Sequence, residues 1–252
     1  MHEKIHQLLI ELRLKGVQQV LDRELTAAVK TGEATEKVVY RLLCQELAYR
    51  QERSMHYRIN QAKIPWDWTL KTFPFDKQPG VKKAQIMSLA GLSFIDRAEN
   101  IVFIGEPGTG KSGLAIGLLR TALINGYRGR FYNAQDLLDE LYASLADRST
   151  SKLIKRLCNY PILVIDELGY LTLKPEQRNA FFKLMGERYA KASTIITTNL
   201  DYPEWYELFQ RKSLVDALLD RLKHRCITIR INGPSLRVPT RKNDIPPPPE
   251  PE

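Results

Sequence analysis

Cysteine, histidine and long apolar runs are scarce in this sequence, and each scarcity excludes something. The three cysteines, Cys44, Cys158 and Cys226, lie far apart and form no C-x-x-C pair. Only four histidines are present: His2, His6, His56 and His224. That spacing argues against a structural zinc site and a disulfide framework, and for reduced, half-buried thiols. No unbroken apolar stretch approaches the ~20 residues of a membrane helix. The opening Met1-His2-Glu3-Lys4 carries both signs of charge, and no apolar signal region follows it. The expectation is a cytoplasmic protein with no membrane partner.

What is present is an apolar share of 43%, enough for a real core, and a formal net charge of +9 over 252 residues. That balance suggests an anionic partner. Residues 211–242 hold nine basic side chains against two acidic ones, and residues 37–63 hold six against two. Such runs are often solvated faces, and bound phosphates would account for part of the second zone. Two basic zones in one small protein nevertheless favour nucleic-acid contact.

The chain changes rhythm along its length. Residues 1–62 read as a small all-helical domain. Ile5, Leu8, Leu9 and Leu12 recur at helical spacing, and Gly16 reads as a stop. Val17, Val20, Leu21 and Leu25 repeat the pattern until Gly32, and a longer helix carries Val38, Val39, Leu42, Leu43 and Leu47. Residues 63–80, punctuated by Pro65, Pro74 and Pro79-Gly80, read as a linker. Its Trp66, Trp68, Phe73 and Phe75 are expected to pack on the next domain rather than stack on bases. Residues 81–240 alternate strand and helix. Strands are expected at 101–104, near Phe131-Tyr132, and at 162–165, 194–197 and 227–229. Helices are expected at 111–125, 136–146, 175–190 and 214–222. The alternation implies an α/β domain with a parallel sheet flanked by helices. The proline-rich tail, 241–252, is expected to be disordered.

Gly105-Glu106-Pro107-Gly108-Thr109-Gly110-Lys111-Ser112 is the strongest signal, and it sits between an expected strand and an expected helix. The glycines let backbone N–H groups curl around phosphates, and the helix N-terminus continuing into Gly113 adds its positive end. Lys111 would reach the β- and γ-phosphates of ATP, and Ser112 would ligate Mg2+. Asp166-Glu167 follows the apolar run Ile162-Leu163-Val164-Ile165, at the sheet edge where ligands bind. There Asp166 would hold Mg2+ and Glu167 would act as the base toward water. Asn199 ends the next strand and could orient that water or sense the γ-phosphate, although a turn cap would use the same residue. Arg221 and Arg225 end a late helix. Either could stabilise the transferring phosphoryl group of a neighbouring subunit's ATP, and a salt bridge with solvated basics would look the same in sequence.

Together these residues resemble the AAA+ P-loop ATPases, and within them the branch of DnaC-type helicase loaders and IstB-type transposition helpers. The order matches: Walker A at 105–112, Walker B at 162–167, a sensor-1-like Asn199 and a box-VII-like Arg221/Arg225. Gly233-Pro234-Ser235-Leu236-Arg237 resembles the Gly-x-Ser-Tyr-Arg that closes the domain in this branch, with Leu in place of Tyr, making Arg237 sensor-2-like. Leu12-Arg13-Leu14-Lys15-Gly16 and Thr69-Leu70-Lys71-Thr72-Phe73 are similar to IstB. The resemblance implies an AAA+ fold with no separate C-terminal lid domain. It also implies an ATPase that self-assembles as a homo-oligomer on double-stranded DNA, deforms it, and recruits a partner transposase. The preferred DNA surface is Arg41, Arg50, Arg53, Arg58 and Lys63 in the helical N-terminal part, which would serve DNA binding and oligomerisation. A helicase loader would share the ATPase chemistry but prefer single-stranded DNA. A metabolic P-loop kinase would need a small-substrate pocket, and a nucleotide-gated scaffold would not need Glu167.

Overall fold

The computed structural model describes residues 2–169 and 171–237. The tail at 241–252, expected to be disordered, lies outside the described residues. The chain divides into two compact units, Met1–Asn60 and Gln61–Glu252, so residues 63–80 belong with the larger one.

The first unit consists of α1 (His2–Glu11), α2 (Lys15–Thr31) and most of α3 (Thr35–Ala62). Leu9, Val17 and Leu21 form its buried centre, with Ile5, Leu14, Leu25 and Leu42 packed around them. Gly32 ends α2 in the left-handed conformation, as a C-terminal glycine does. Gly16 is not a stop: it lies in the first turn of α2. A Cβ there would come within 2.8 Å of the Gln45 carbonyl, Glu46 Cα and Tyr49 Cβ. The glycine therefore serves close approach of α2 to α3, not chain reversal.

In the larger unit, α4 (Lys83–Leu89) and α5 (Ser93–Asp96) precede β1 (Asn100–Gly105) and α6 (Lys111–Ile124). Next come β2 (Gly129–Asn133), α7 (Ala134–Ala146), α8 (Thr150–Cys158), β3 (Ile162–Asp166) and α9 (Pro175–Arg188). The series closes with β4 (Ser193–Thr198), α10 (Trp205–Phe209), α11 (Lys212–His224) and β5 (Cys226–Ile231). The five strands form one parallel sheet in the order β2-β3-β4-β1-β5.

Strand alternation splits the apolar residues between two faces. Val102, Ile104, Leu163, Ile165 and Ile196 join the core made with α7, α8, α9, α10 and α11. Ile101, Phe103, Ile162, Val164 and Ile195 are equally buried and point the other way, toward α6, whose Leu119 lies beside Ile162 at Gly129. Burial on both faces makes these strands continuous apolar runs. Each such side chain contributes roughly 1.5–3 kcal/mol relative to exposure. The consequence for the site is positional: β4 lies between β3 and β1, so the chain ends after β3, β4 and β1 meet side by side at one edge.

Candidate nucleotide site

Three strand ends build this site. After β1, residues 105–112 turn into α6 with Gly108 at φ 84° and Gly110 at φ 93°, a region that side chains with a Cβ avoid. Neither position has room for a side chain: a Cβ on Gly108 would collide with Ser235 Oγ, and one on Gly110 would come within 2.7 Å of the Phe73 ring. Lys111 Nζ donates to the carbonyls of Gly105 (2.7 Å) and Glu106 (2.9 Å), so the ammonium lies in the cup of the loop. Burial pushes its pKa down, against the pull of Asp166, Glu106 and Glu167.

The ends of β3 and β4 meet through Thr197. Asp166 is 2% exposed and accepts from Thr197 Oγ1 at 2.5 Å. The same hydroxyl accepts the Glu167 N–H at 2.9 Å, and the Thr197 carbonyl accepts the Leu168 N–H at 2.9 Å. Burial pushes the Asp166 carboxyl above the ordinary aspartate range, and hydrogen bonds from Thr197 and Ser112 partly oppose it. A buried carboxylate touching a serine hydroxyl, with a lysine nearby, is a hard-oxygen donor set of the kind Mg2+ takes. Glu167, by contrast, is exposed with φ 61°, which turns its side chain out of the strand. Its Oε2 accepts from Asn133 Nδ2 at 3.1 Å. Asn133 ends β2 and also caps α7 through Gln135 N.

A cleft of about 570 Å³ runs along these strand ends. Pro107, Gly108, Gly110, Lys111, Ser112, Gly113, Glu167, Asn199 and Arg237 all line it. Glu106 is exposed on the loop and Thr109 is buried beneath it. Trp68 and Phe73 also line the cleft, with Trp68 stacked on Trp66 at 4.8 Å between ring centroids. Both therefore pack on the phosphate-loop domain, Trp68 beside Gly113 and Phe73 beside Gly110.

Other sequence candidates lie elsewhere. Arg221 is exposed, its guanidinium 5.8 Å over the Tyr189 ring, and Arg225 donates to the Arg97 carbonyl at 3.1 Å. Neither lines the cleft. In the N-terminal unit, Arg41 is held by Glu24 and Glu33, both at 2.7 Å, and Arg50 by Glu46 at 2.7 Å. Arg58 donates to Ser54 Oγ at 2.6 Å. Arg53 is exposed, as is Lys63 in the larger unit. Sequence reasoning missed Thr197 as a bridge and Asn133 as a partner of Glu167. A threonine one residue beyond an apolar strand core was the only available signal for the first, and the second left none.

Comparison with known proteins bears on the family and the fold. The family model described as "IstB-like ATP binding protein" matches residues 7–244. An "Insertion sequence IS21 putative ATP-binding protein" from Pseudomonas aeruginosa is 35% identical over 96% of this chain and 91% of its own length. An "Insertion sequence IS5376 putative ATP-binding protein" from Geobacillus stearothermophilus is 35% identical over 94% of this chain and 95% of its own. Among solved structures, the DnaC helicase loader superposes with a TM-score of 0.57 at 27% identity, over 66% of this chain and 98% of that one.

Proposed function

The chain belongs to the IstB-like ATP binding protein family, and from that premise we propose that this ATPase uses ATP to assemble on duplex DNA in support of an insertion-sequence transposase. The observation that carries the chemistry is the pair of unlike carboxylates after β3, Asp166 buried on Thr197 and Ser112, and Glu167 exposed at the cleft.

Each residue has a distinct task in this reading. Lys111 exchanges its two loop carbonyls for β- and γ-phosphate oxygens, and the backbone N–H groups of residues 108–113 hold the remaining phosphate charge. Ser112 and Asp166 would hold magnesium, which supplies positive charge against the phosphates when bound. Glu167 takes the proton of the attacking water, and Asn199, after the neighbouring strand β4, orients that water. Glu167 has to leave Asn133 to do so, which makes Asn133 a restraint on the base. Arg237 lines its own cleft and acts on its own ATP. Arg221 and Arg225 lie outside it, which suits contact with the ATP of a neighbouring copy and would make assembly depend on nucleotide. Arg53, Arg58 and Lys63 supply phosphate contacts to DNA, sequence-tolerant and salt-sensitive. That the relatives are insertion-sequence putative ATP-binding proteins supports a transposase partner.

The likeness to the DnaC helicase loader favours a second reading, loading onto single strands. Sedimentation with ATP or ADP, with and without duplex or single-stranded DNA of matched length, separates the two. Large assemblies requiring ATP and duplex support the transposition reading. Preference for single strands supports the loader, and a monomer indifferent to DNA overturns both.

A further inference from the structure

Gln78 is fully buried just upstream of the ATPase sheet, and its side-chain amide joins two segments far apart in sequence. Nε2 donates to the Thr109 carbonyl at 3.1 Å and to the Pro234 carbonyl at 2.9 Å, while Oε1 accepts the Gly80 N–H at 3.4 Å. The fit leaves no slack. A Cβ on Gly233 would collide with the Gln78 amide, and one on Gly80 would come within 2.8 Å of the Asn232 backbone. A second tether runs in parallel, from Leu236 N to the Gly108 carbonyl at 2.8 Å. Three stretches of chain, 73–80, 105–112 and 232–237, therefore meet behind the phosphate loop.

Packing alone would be served by leucine or methionine. What an apolar side chain cannot do is donate two hydrogen bonds to buried carbonyls, and a buried carbonyl left unpaired costs ~1–3 kcal/mol. The choice of carbonyl matters as well. Thr109 C=O and Gly110 N–H belong to one peptide plane, and in a trans peptide they point in opposite directions. Holding the Thr109 oxygen on Gln78 therefore fixes which way the Gly110 N–H faces. The second bond fixes Pro234, from which the chain continues to Leu236 and Arg237, both lining the cleft.

We propose that Gln78 is a positioning residue for ATP: one amide sets both the Gly110 peptide of the phosphate loop and the approach of Arg237, coupling the two halves of the nucleotide cleft. The proposal rests on the phosphate-loop reading given above. It makes Gln78 a determinant of nucleotide affinity, acting through Gly110 and Arg237 without touching the reacting atoms.

The test uses the full chain with Gln78→Met, which keeps length and removes both donors, and Gln78→Glu, which keeps the acceptor and removes the donors. Steady-state turnover and binding of a fluorescent ATP analogue are measured for each variant, alone and combined with Arg237→Ala, with circular dichroism to select the folded variants. The expected result is a KM for ATP raised about tenfold with kcat changed less than about threefold, in at least one folded variant. Arg237→Ala, costly in the parent, should then cost less than about twofold in the Gln78 background, since the arginine is already misaligned. A KM unchanged in every folded variant, or effects of Gln78 and Arg237 that simply multiply, would overturn the coupling. Lys111→Ala is the control for the underlying reading: if it leaves analogue binding intact, the phosphate-loop assignment itself fails. If it abolishes binding while the Gln78 variants behave as the parent, only the coupling fails.

Discussion

One buried carboxylate from each unit shows a contrast. In Met1–Asn60 the carboxylates hold helices together. Glu46, 6% exposed, accepts the Gly16 and Val17 N–H groups at the start of α2 and pairs with Arg50. Burial works to raise its pKa, but Arg50 and those two N–H groups outweigh it, and the net shift is down. In Gln61–Glu252 the Asp166 carboxyl is shifted up: burial dominates, and the hydrogen bonds from Thr197 and Ser112 offset it only in part. A carboxylate satisfied at home is structural. One raised by burial, at a sheet edge beside a lysine, has the character of a candidate functional group.

The largest effect that would sharpen this contrast lies at the adjacent Glu167, proposed above as the base. Glu167→Gln is expected to lower turnover by about 10²–10⁴-fold with analogue binding retained, measured by phosphate release and fluorescence titration. Turnover within about twofold of the parent would remove Glu167 as base. The units should also differ in what their cores contribute. Phe181 is fully buried in the large cluster, whereas Leu9 belongs to a centre of three buried residues. Phe181→Ala should destabilise the larger unit by about 3–5 kcal/mol, and Leu9→Ala should destabilise its own by about 2 kcal/mol. Hydrogen exchange resolves the units separately. Equal losses would break the comparison.

Asp166 gives a pH test of the same difference. A raised acid pKa means the native state keeps its proton where the unfolded chain has released it. Stability therefore falls as pH climbs from the ordinary aspartate value through the raised one, and it stays reduced at neutral pH. In nucleotide-free protein, Asp166→Asn should remove that slope and raise Tm at pH 7 by about 2–4 °C for each kcal/mol recovered. The same variant should lose magnesium-dependent nucleotide binding. A lowered Tm would show that the carboxylate stabilises the fold by itself.

How much of this was legible beforehand follows from what is local. Residues 105–112 were readable because left-handed positions demand glycine at 108 and 110. The run Ile162-Leu163-Val164-Ile165 was readable because both its faces are covered. The helix at Thr150–Cys158 went unread: it has only nine residues, follows the polar stretch 147–149, and its buried Leu153, Ile154 and Leu157 make too short a pattern. Thr197, Asn133 and Gln78 depend on register or on segments 31 to 156 residues apart, and no local pattern carries that.

Charge in the N-terminal unit shows the same limit, and it yields the smallest effect. The basic count over 37–63 treats Arg41 and Arg53 as equals. The fold does not: hydrogen bonds donated to Glu24 and then to Glu33 raise the Arg41 pKa, while Arg53 is exposed. An arginine already neutralised by two carboxylates has little charge to offer a phosphate. Arg53→Ala should weaken duplex binding uniformly across sequences and reduce the slope of log K against log salt by about 1. Arg41→Ala should leave that slope unchanged, and by exposing two carboxylates it should if anything weaken binding slightly at low salt. The measurement is a salt titration of anisotropy with labelled duplex. Equal slopes lost in both variants would mean that DNA draws Arg41 away from Glu24 and Glu33, and that this unit rearranges when it binds.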